Sequence, residues 1–556
     1  MEAMDDEVSG RPDPTDLAAK LQARAAETLI KLKDESYSTH KVFNLVTNGV
    51  DDLFRILIDI IKAQFMSYGA EQVFSVQEVC SILDRLEGNS LFEGVHTPEE
   101  LSKYVEQERC LIRPAGVEVT TQPVVAGKEV KAAVVEKGYI VPFLPMLEAL
   151  LNCPEVLHCI DNPKPSIDGV FADPLDGYAY KKHPLVQKYP GTLGIRTYDD
   201  DAQCTDSASS QDVSVRFIYW TLLNIYPELR SSNRAIHLMG CMKTDLIKST
   251  GHKVFLTDYV ASMKQLCSEE GVTFTVMGKK RVFRAVMVDH NADNPAAASI
   301  GGFKESHFAN CCCRQCYVTS EEMFSSFDEK DFVRRDKESH EKHVAEVEEY
   351  IEKKCKTKPS PSVTYGINSR SALMDIPTCD VTKCLPQDLM HDVILGTLKT
   401  EIICLLEHTL EKKKTSLKAI NRRISSLVKY FGVNKPADIE ASHIQNRSLR
   451  QSASETLALA YLLPFALQVQ TEKGVELACD EANLHCYILR LNLLSLQMSD
   501  QFTMADLERL RKMTIDHHKR FQALYPGRET PKMHYETHFP MQIYLYGPLR
   551  LHWCFR

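Results

Sequence analysis

The segment from Pro190 to Phe303 constrains the fold more than any other part of the chain, because short apolar runs alternate there with turn residues. The runs are rich in β-branched residues, which favour the pleated, half-buried surface of a sheet. Five strands are predicted, at Leu193–Tyr198, Phe217–Leu223, Ala235–Cys241, Val272–Val276 and Arg281–Val288. One helix is predicted between the third and fourth strands, at Asp245–Cys267. Strands around one long helix indicate an α/β core.

The rest of the chain is predicted to be mainly helical. Asp51–Met66 carries apolar residues at helical spacing. The Val- and Thr-rich segment from Cys110 to Lys137 marks a boundary before a helix at Tyr139–Leu151. Asp388 to His518 is predicted to be almost all helix. The predicted regions are a disordered acidic tail (1–16), a helical N-terminal region (17–137), the first part of the α/β core (138–305), a Cys- and His-bearing insertion (306–365), a helical region (366–520) and a Pro- and aromatic-rich C-terminal segment (521–556).

The composition is that of a globular protein inside the cell. The 556 residues are 44% hydrophobic and 25% charged, which is ordinary for domains with real cores. No apolar run approaches the roughly 20 residues that cross a bilayer, and the N-terminus is acidic where a signal peptide would be basic. We therefore expect no membrane partner. The net charge of -9 argues against coating of nucleic acid by bulk electrostatics, so any DNA contact must be local.

Acidic residues follow two of the predicted strands. TYDDDAQ places Asp199, Asp200 and Asp201 at the end of one strand, and the loop after another contains Asp289 and Asp293. Carboxylates held on rigid strand ends can bridge Mg²⁺ ions for cleavage or transfer of a phosphodiester. The alternative is a solvated turn and a plain loop of small residues.

A structural zinc site is predicted in the insertion. The chain has 18 cysteines but no secretory signal, which indicates reduced thiols and one metal site rather than a disulfide framework. Cys313 and Cys316 form a CxxC in CCCRQC, and His340 and His343 follow in KESHEKH. Two thiolates and two imidazoles can close a tetrahedral zinc site. The alternative is a buried CxxC with two surface histidines.

Two further motifs are candidates for function. In CLPQDLMHD, Asp388 and His391 share one helical face, next to Asp392, and could orient a metal, a water molecule or each other. An acidic first turn before core leucines is the structural alternative. A basic stretch could contact DNA phosphates or serve nuclear import, or simply form a solvated helix face. It consists of Lys412, Lys413, Lys414, Lys418, Arg422 and Arg423.

The order of these motifs resembles that of the transposase-like proteins of animals related to CACTA (En/Spm) type transposases. The resemblance covers about Tyr139 to Arg556 and includes YDD, GGFKES, CRQC, LPQDLMHD, PKMHYETHFP and YGPLRLHW. It implies an RNase H-like core with a metal-binding acidic triad, a zinc-like insertion and a long helical insertion. By resemblance, Asp199 is the first acid and Asp293 the second, and Asp388 and His391 support the metals.

The chain departs from the family where the third acid is expected. Relatives read HDVLEG where this chain reads HDVILG, so Leu395 replaces a glutamate. Relatives also continue past the terminal Trp into a segment like RFEAKH, whereas this chain stops at Arg556, and their Asn-Pro-Leu-Gly is replaced by Thr205–Ala208. Loss of one metal ligand costs orders of magnitude in rate, so little or no strand transfer is expected.

The resemblance therefore implies a transposon-derived protein, nuclear or nucleocytoplasmic, that retains at most DNA binding and a structural zinc. One alternative is an active Mg²⁺- or Mn²⁺-dependent nuclease whose third acid is Asp392 or lies outside this sequence. Another is a non-enzymatic interaction scaffold. No Walker, GxSxG or GxGxxG motif is present.

Overall fold

A computed structural model describes residues 50, 97, 99–101, 103–104, 112–120, 124–126, 129–131, 135–204, 213–230, 232–305, 309–356, 358–472 and 474–552. The chain divides into two compact units, Met1–Arg113 and Pro114–Arg556. In the first unit, Thr97 and Glu100 exchange two side-chain to backbone hydrogen bonds. The predicted tail 1–16 and the predicted helix Asp51–Met66 lie outside the described residues.

The second unit contains a six-stranded mixed sheet and several two-stranded ribbons. The strands are β1 Ala115–Thr120, β2 Val124–Ala126, β3 Glu129–Lys131, β4 Val135–Ile140, β5 Val170–Phe171, β6 Leu193–Gln203, β7 Ser214–Leu222, β8 His237–Lys243, β9 Val272–Val276, β10 Lys279–Phe283, β11 Ala285–Ala292, β12 Gln468–Thr471, β13 Gly474–Leu477 and β14 Phe502–Thr503. The sheet has the order β1-β4-β8-β7-β6-β11. Its neighbours pair antiparallel except β6 and β11, which run parallel.

Some helices pack against the sheet, and the helices that follow the π-helix pack mainly against one another. They are α1 Phe143–Leu151, α2 Pro154–Asp161, α3 Tyr178–Lys181, α4 Pro184–Lys188, α5 Pro227–Arg230, α6 Thr244–Thr250, α7 Lys253–Leu266, α8 Asn294–Ile300, α9 Lys337–Glu352, α10 Pro361–Tyr365, α11 Leu398–Glu411, α12 Leu417–Phe431, α13 Ala441–Gln445, α14 Ala453–Ala466, α15 Glu481–Gln497, α16 Met504–Leu524, α17 Pro531–Glu536 and α18 Phe539–Tyr546. A π-helix at Met390–Thr397 leads directly into α11.

One large apolar core joins the sheet to α1 and α7. Ile195 of β6 and Trp220 of β7 are buried in it together with Phe255 and Tyr259 of α7. A second core, which includes Leu463 of α14, lies among the helices from the π-helix onward. The mixed α/β architecture predicted from the sequence is confirmed.

Two predicted elements are each divided in the structure. The predicted strand Arg281–Val288 is in fact β10 and β11, since β10 turns back on β9 while β11 enters the main sheet. Met277 and Gly278 both have positive φ, as the tight turn of a β9–β10 hairpin requires. The predicted helix Asp245–Cys267 is α6 and α7, because the chain breaks at Gly251 with φ of +77°.

Other boundaries are also corrected. The end of the predicted helical region 17–137 holds β1 and the start of β4, which pair as a hairpin. The helix predicted from Tyr139 begins only at Phe143, because Tyr139 and Ile140 pair with β8. The helical region 366–520 also contains the β12–β13 hairpin.

Within the described ranges, no single helix is long and apolar enough to cross a membrane. The helices α1 and α2 meet the length and composition requirements only as a pair, and they are bent by 83° at their junction.

A buried ion pair fastens the end of the described chain to the sheet. Arg196 of β6 donates from Nε to Asp289 of β11 at 2.6 Å and from Nη2 to His552 at 3.0 Å. All three side chains are almost fully buried. Burial raises the pKa of Asp289, but Arg196 and His552 outweigh burial and hold that pKa well below its ordinary value.

We predict that Asp289→Asn lowers the free energy of unfolding by about 3–5 kcal/mol at pH 7, because it leaves Arg196 buried without its carboxylate. The lowered pKa means that the carboxylate stabilises the fold above its unfolded-state pKa of ~3.9, and that this stability is lost as the pH falls further. The deficit measured by denaturant unfolding should therefore shrink below pH ~4. The control Asp161→Asn removes a half-exposed partner of Arg281 and should cost about 1 kcal/mol or less.

Candidate metal centre and acidic site

Two thiols and two imidazoles converge in the protein interior. Cys313 and Cys316 lie in the loop before α9, His534 lies in α17, and His538 immediately precedes α18. Their ligand atoms all lie within 4.8 Å of one another, and all four residues are buried. We call this group the thiol–imidazole centre.

The distances within the centre match those around a tetrahedral zinc ion. Cys316 Sγ is 3.2 Å from His534 Nε2, and Cys313 Sγ is 3.5 Å from His538 Nε2. The two Nε2 atoms are 3.3 Å apart. Usual zinc bond lengths at tetrahedral angles give about 3.6 Å between sulfur and nitrogen and about 3.3 Å between nitrogens. The donor set therefore fits zinc.

Local backbone structure presents the four ligands. His534 and His538 are four residues apart in a nearly continuous helical stretch, so their rings lie on one side of it. Arg335 is buried and donates from Nε to the carbonyl oxygens of Cys313 and Cys316 at 2.9 and 3.2 Å. The Arg335 guanidinium therefore holds the two ends of the CxxC loop close together.

A carboxylate holds His538 in the orientation that a metal needs. His538 Nδ1 is 2.9 Å from Glu329 Oε1, so Nδ1–H donates to the carboxylate and Nε2 faces the thiols. Arg334 pairs with the same Glu329 oxygen at 3.2 Å. Burial opposes the charged ring, but Cys313 and Glu329 together raise the pKa of His538 to about 9. Burial opposes a charged thiolate, but Cys316 and His538 hold the pKa of the Cys313 thiol well below its ordinary value, whereas burial and Cys313 raise the pKa of Cys316.

The structure corrects the histidine ligands predicted from the sequence. His343 in α9 stacks on Tyr365 with ring centroids 3.7 Å apart, and its Nδ1 is 3.0 Å from the Tyr317 hydroxyl. His340 packs against Phe303 at 5.0 Å. Neither belongs to the group of converging ligands. They are packing residues, because α9 turns their face toward aromatic side chains.

The true partners had a local signal in the sequence. PKMHYETHFP places two histidines at i and i+4, which is the spacing of a helical metal-binding pair. The His534–Cys316 contact spans 218 residues of sequence, so no short-range pattern connects the two halves of the centre. The nearer pair in KESHEKH was the wrong choice for that reason.

The predicted acids meet at one end of the sheet. Asp199 of β6 pairs in register with Ala292 of β11, and Asp293 follows directly. Asp293 also begins α8, where its carboxylate accepts from the Ala296 N–H at 2.8 Å. Burial raises the pKa of both Asp199 and Asp200, and the negative charge of Asp293 adds to this effect. The sequence-predicted first and second acids are therefore neighbours.

Asp199 is buried with unsatisfied carboxylate oxygens. Neither oxygen has a hydrogen-bond partner among the described residues. Burial raises its pKa to about 7, in spite of Arg216 and with help from the nearby acids. Arg216 Nε lies 3.4 Å from Asp199 and donates to Asp201 at 2.9 Å. A side-chain cation thus already balances part of the negative charge.

The DxxH motif borders the same acids. Asp388 accepts a short hydrogen bond from His391 Nδ1 and another at 2.9 Å from the Met390 N–H. Burial opposes the charge on His391, but Asp388 and Asp293 raise its pKa. The motif therefore fixes one imidazole beside Asp200 and Asp293. The supporting role predicted for the motif remains a prediction.

Asp392 and Leu395 lie in the π-helix, which is a local irregularity common at functional sites. Asp392 is buried and accepts from Asn294 Nδ2, and Arg314 donates to the same Asn294 side chain at 2.7 Å. Burial raises the pKa of Asp392 to about 7. Asp392 is thus hydrogen-bonded to Asn294, the residue that follows Asp293. The apolar side chain of Leu395 offers no metal ligand.

The basic stretch is divided between two helices. Lys412 at the end of α11 pairs with Asp480 at 2.6 Å, and Arg423 donates to the carbonyl of Ala466 at 2.8 Å. Lys418 and Arg422 are exposed on one side of α12. Lys413 and Lys414 are exposed in the turn between the helices. DNA binding by this stretch remains a prediction.

No protein-family model matches the chain, and a search of curated proteins finds no match. The functional interpretation therefore depends on the order of the motifs and on the geometry of the two sites described above.

We predict that His534→Gln and His538→Gln each remove one zinc ion per chain, because each deletes one ligand of a four-ligand site. Metal content is measured by mass spectrometry on the purified protein. The matched controls His340→Gln and His343→Gln should keep full zinc content, and so should Cys312→Ser beside the CxxC. Loss of zinc in the α9 variants, with retention in His534→Gln, would contradict the ligand set.

Proposed function

We propose that the chain is a transposon-derived, transposase-like protein with an RNase H-like core whose nuclease site is incomplete. The observation that carries the proposal is the parallel pairing of β6 with β11, which sets Asp199 beside Asp293. Carboxylates on neighbouring strand ends are what a metal-dependent phosphodiester reaction needs. The order β8-β7-β6-β11, with two antiparallel pairs and one parallel pair, supports an RNase H-like assignment.

The residues present supply the first two carboxylates of a magnesium site but not the third. The two oxygens of Asp199, which accept no hydrogen bond among the described residues, and the carboxylate of Asp293 would hold a cation, which would activate a water or a DNA hydroxyl for attack on phosphate. His391, fixed by Asp388, would orient that nucleophile. Leu395 stands where the resemblance expects the third carboxylate, and Arg216 supplies a fixed positive charge beside Asp199. Weak metal binding and negligible strand transfer follow.

Zinc has a structural role in this proposal. All four ligands of the thiol–imidazole centre are protein side chains, which leaves no open position for a substrate. DNA is the proposed partner, contacted by the exposed Lys418 and Arg422 of α12, and binding of DNA would place the protein in the nucleus.

An active nuclease is the second candidate, favoured by the position of Asp392. This buried acid is linked through Asn294 to the start of α8, where Asp293 lies. A small change in the π-helix would bring its carboxylate toward the metals. In that case Asp392 replaces the glutamate that Leu395 has displaced.

We predict no Mg²⁺- or Mn²⁺-dependent cleavage of terminal-repeat DNA by the wild-type chain above the level of Asp199→Ala. Leu395→Glu should tighten Mn²⁺ binding, measured by calorimetry, because it restores a carboxylate, whereas the isosteric Leu395→Gln should not. Cleavage by the wild type that is lost in both Asp199→Ala and Asp392→Asn would establish the active alternative.

Gel-shift measurements at low salt on the same preparations separate a DNA-binding protein from a scaffold. Lys418→Ala with Arg422→Ala should weaken binding and flatten its salt dependence, because fewer counterions are released. Lys342→Ala, an exposed lysine of α9, is the control. Absence of binding by the folded wild type would overturn the DNA part of the proposal and favour an interaction scaffold.

A further inference from the structure

A second group of metal-ligand side chains lies in the helical core, apart from the thiol–imidazole centre. It consists of Glu401 of α11, Cys486 of α15 and His517 of α16, with ligand atoms within 4.8 Å of one another. All three side chains are buried. From this arrangement we propose that the Glu401 cluster binds a second zinc ion, which joins three helices independently of the acidic site.

The hydrogen bonds around His517 determine which ring nitrogen carries its proton. His518 Nε2 is 3.0 Å from the carbonyl oxygen of Met533, which can only accept, so this nitrogen of His518 carries a proton. With its proton on Nε2, a neutral His518 ring leaves Nδ1 as an acceptor. His517 Nδ1 lies 2.9 Å from that atom and must donate to it. A neutral His517 therefore has a free lone pair on Nε2.

That lone pair points at a second acceptor. His517 Nε2 is 2.9 Å from Glu401 Oε2, and a carboxylate oxygen also accepts. Two acceptors at this distance need a positive charge between them, either a proton or a metal ion. The other carboxylate oxygen, Oε1, is buried with no hydrogen-bond partner in the described ranges, which leaves it free for a cation. The Glu401 carboxylate thus has one oxygen against His517 and one oxygen without a hydrogen-bond partner among the described residues.

The third member makes a metal ion the better bridge than a proton. The buried Cys486 sulfur lies within 4.8 Å of the ligand atoms of both Glu401 and His517, so one cation in place of the protons can contact all three. Binding of a divalent cation would release the thiol proton to solvent and satisfy sulfur, nitrogen and oxygen together. Cys404, one turn along α11, borders the cluster with a further thiol.

The chemistry of the donors selects zinc. A mixed set of thiolate, imidazole and carboxylate suits Zn²⁺, whereas Mg²⁺ and Ca²⁺ prefer oxygen ligands. Arg490 does not compete for the carboxylate, because it donates to Glu536 at 2.7 Å and makes no hydrogen bond to Glu401 in the part of the chain that the structure describes. The Arg490 charge does act on Cys486, but the described ion pair of Arg490 is with Glu536 and not with Glu401.

The test is the zinc content of the full chain, counted by native mass spectrometry and by elemental analysis. We expect two zinc ions per wild-type chain and one in each of Cys486→Ser and His517→Gln. His485→Gln, an exposed neighbour in α15, and Cys479→Ser, a buried cysteine outside both centres, should keep two. One zinc per wild-type chain overturns the proposal and identifies the cluster as a protonated hydrogen-bonded group.

Cobalt substitution assigns the second ion to its ligands. The thiol–imidazole centre is left intact, so the wild-type chain should carry three cobalt–thiolate bonds and Cys486→Ser two. The thiolate charge-transfer band should therefore fall by about a third in Cys486→Ser, and an unchanged band in that folded variant contradicts the proposal. If a variant does not fold, the wild-type count decides, since two ions support the second site and one excludes it.

Discussion

We propose that a metal ion at the contact between Cys313–Cys316 and His534–His538 stabilises the packing of the second unit. The Cys313–His538 contact joins residues 225 apart in sequence, so it ties the loop after the sheet to the helices near the C-terminus. Buried thiols and imidazoles stabilise a fold little by themselves, but around zinc they form a cross-link whose binding energy becomes folding energy. Arg335 and Glu329 fix the ligands before the metal arrives, which makes the site rigid.

One hydrogen bond links the loop of the thiol–imidazole centre to the acidic site. The strands β6 and β11 bring Asp199 and Asp293 together, and the DxxH motif holds His391 close enough for its charge to interact with Asp200 and Asp293. Arg314, inside the CxxC, donates to Asn294 beside Asp293. The CxxC loop and the start of α8 are therefore joined by a direct side-chain contact. None of the four residues of the thiol–imidazole centre is among the predicted acids, so loss of an acid would leave that centre complete.

Local features of the structure could be predicted from the sequence, and distant pairings could not. Strand β6 and the acids at its end follow from an apolar run that meets three aspartates. The division of α6 from α7 at Gly251 and the hairpin that separates β10 from β11 depend on one or two backbone angles, which composition does not reveal. Half of the thiol–imidazole centre could be predicted, because CxxC is a local pattern whereas the choice of histidines is set by tertiary packing. The Glu401 cluster has no short-range signal, since its three members come from three helices.

X-ray absorption at the zinc edge tests the account most directly, on protein carrying Cys486→Ser so that only the thiol–imidazole centre contributes. We predict two sulfur ligands at about 2.3 Å and two nitrogen ligands at about 2.0–2.1 Å. A first shell with fewer than two sulfurs, or a chain that folds fully without zinc, would contradict the claim that this centre holds the structure together.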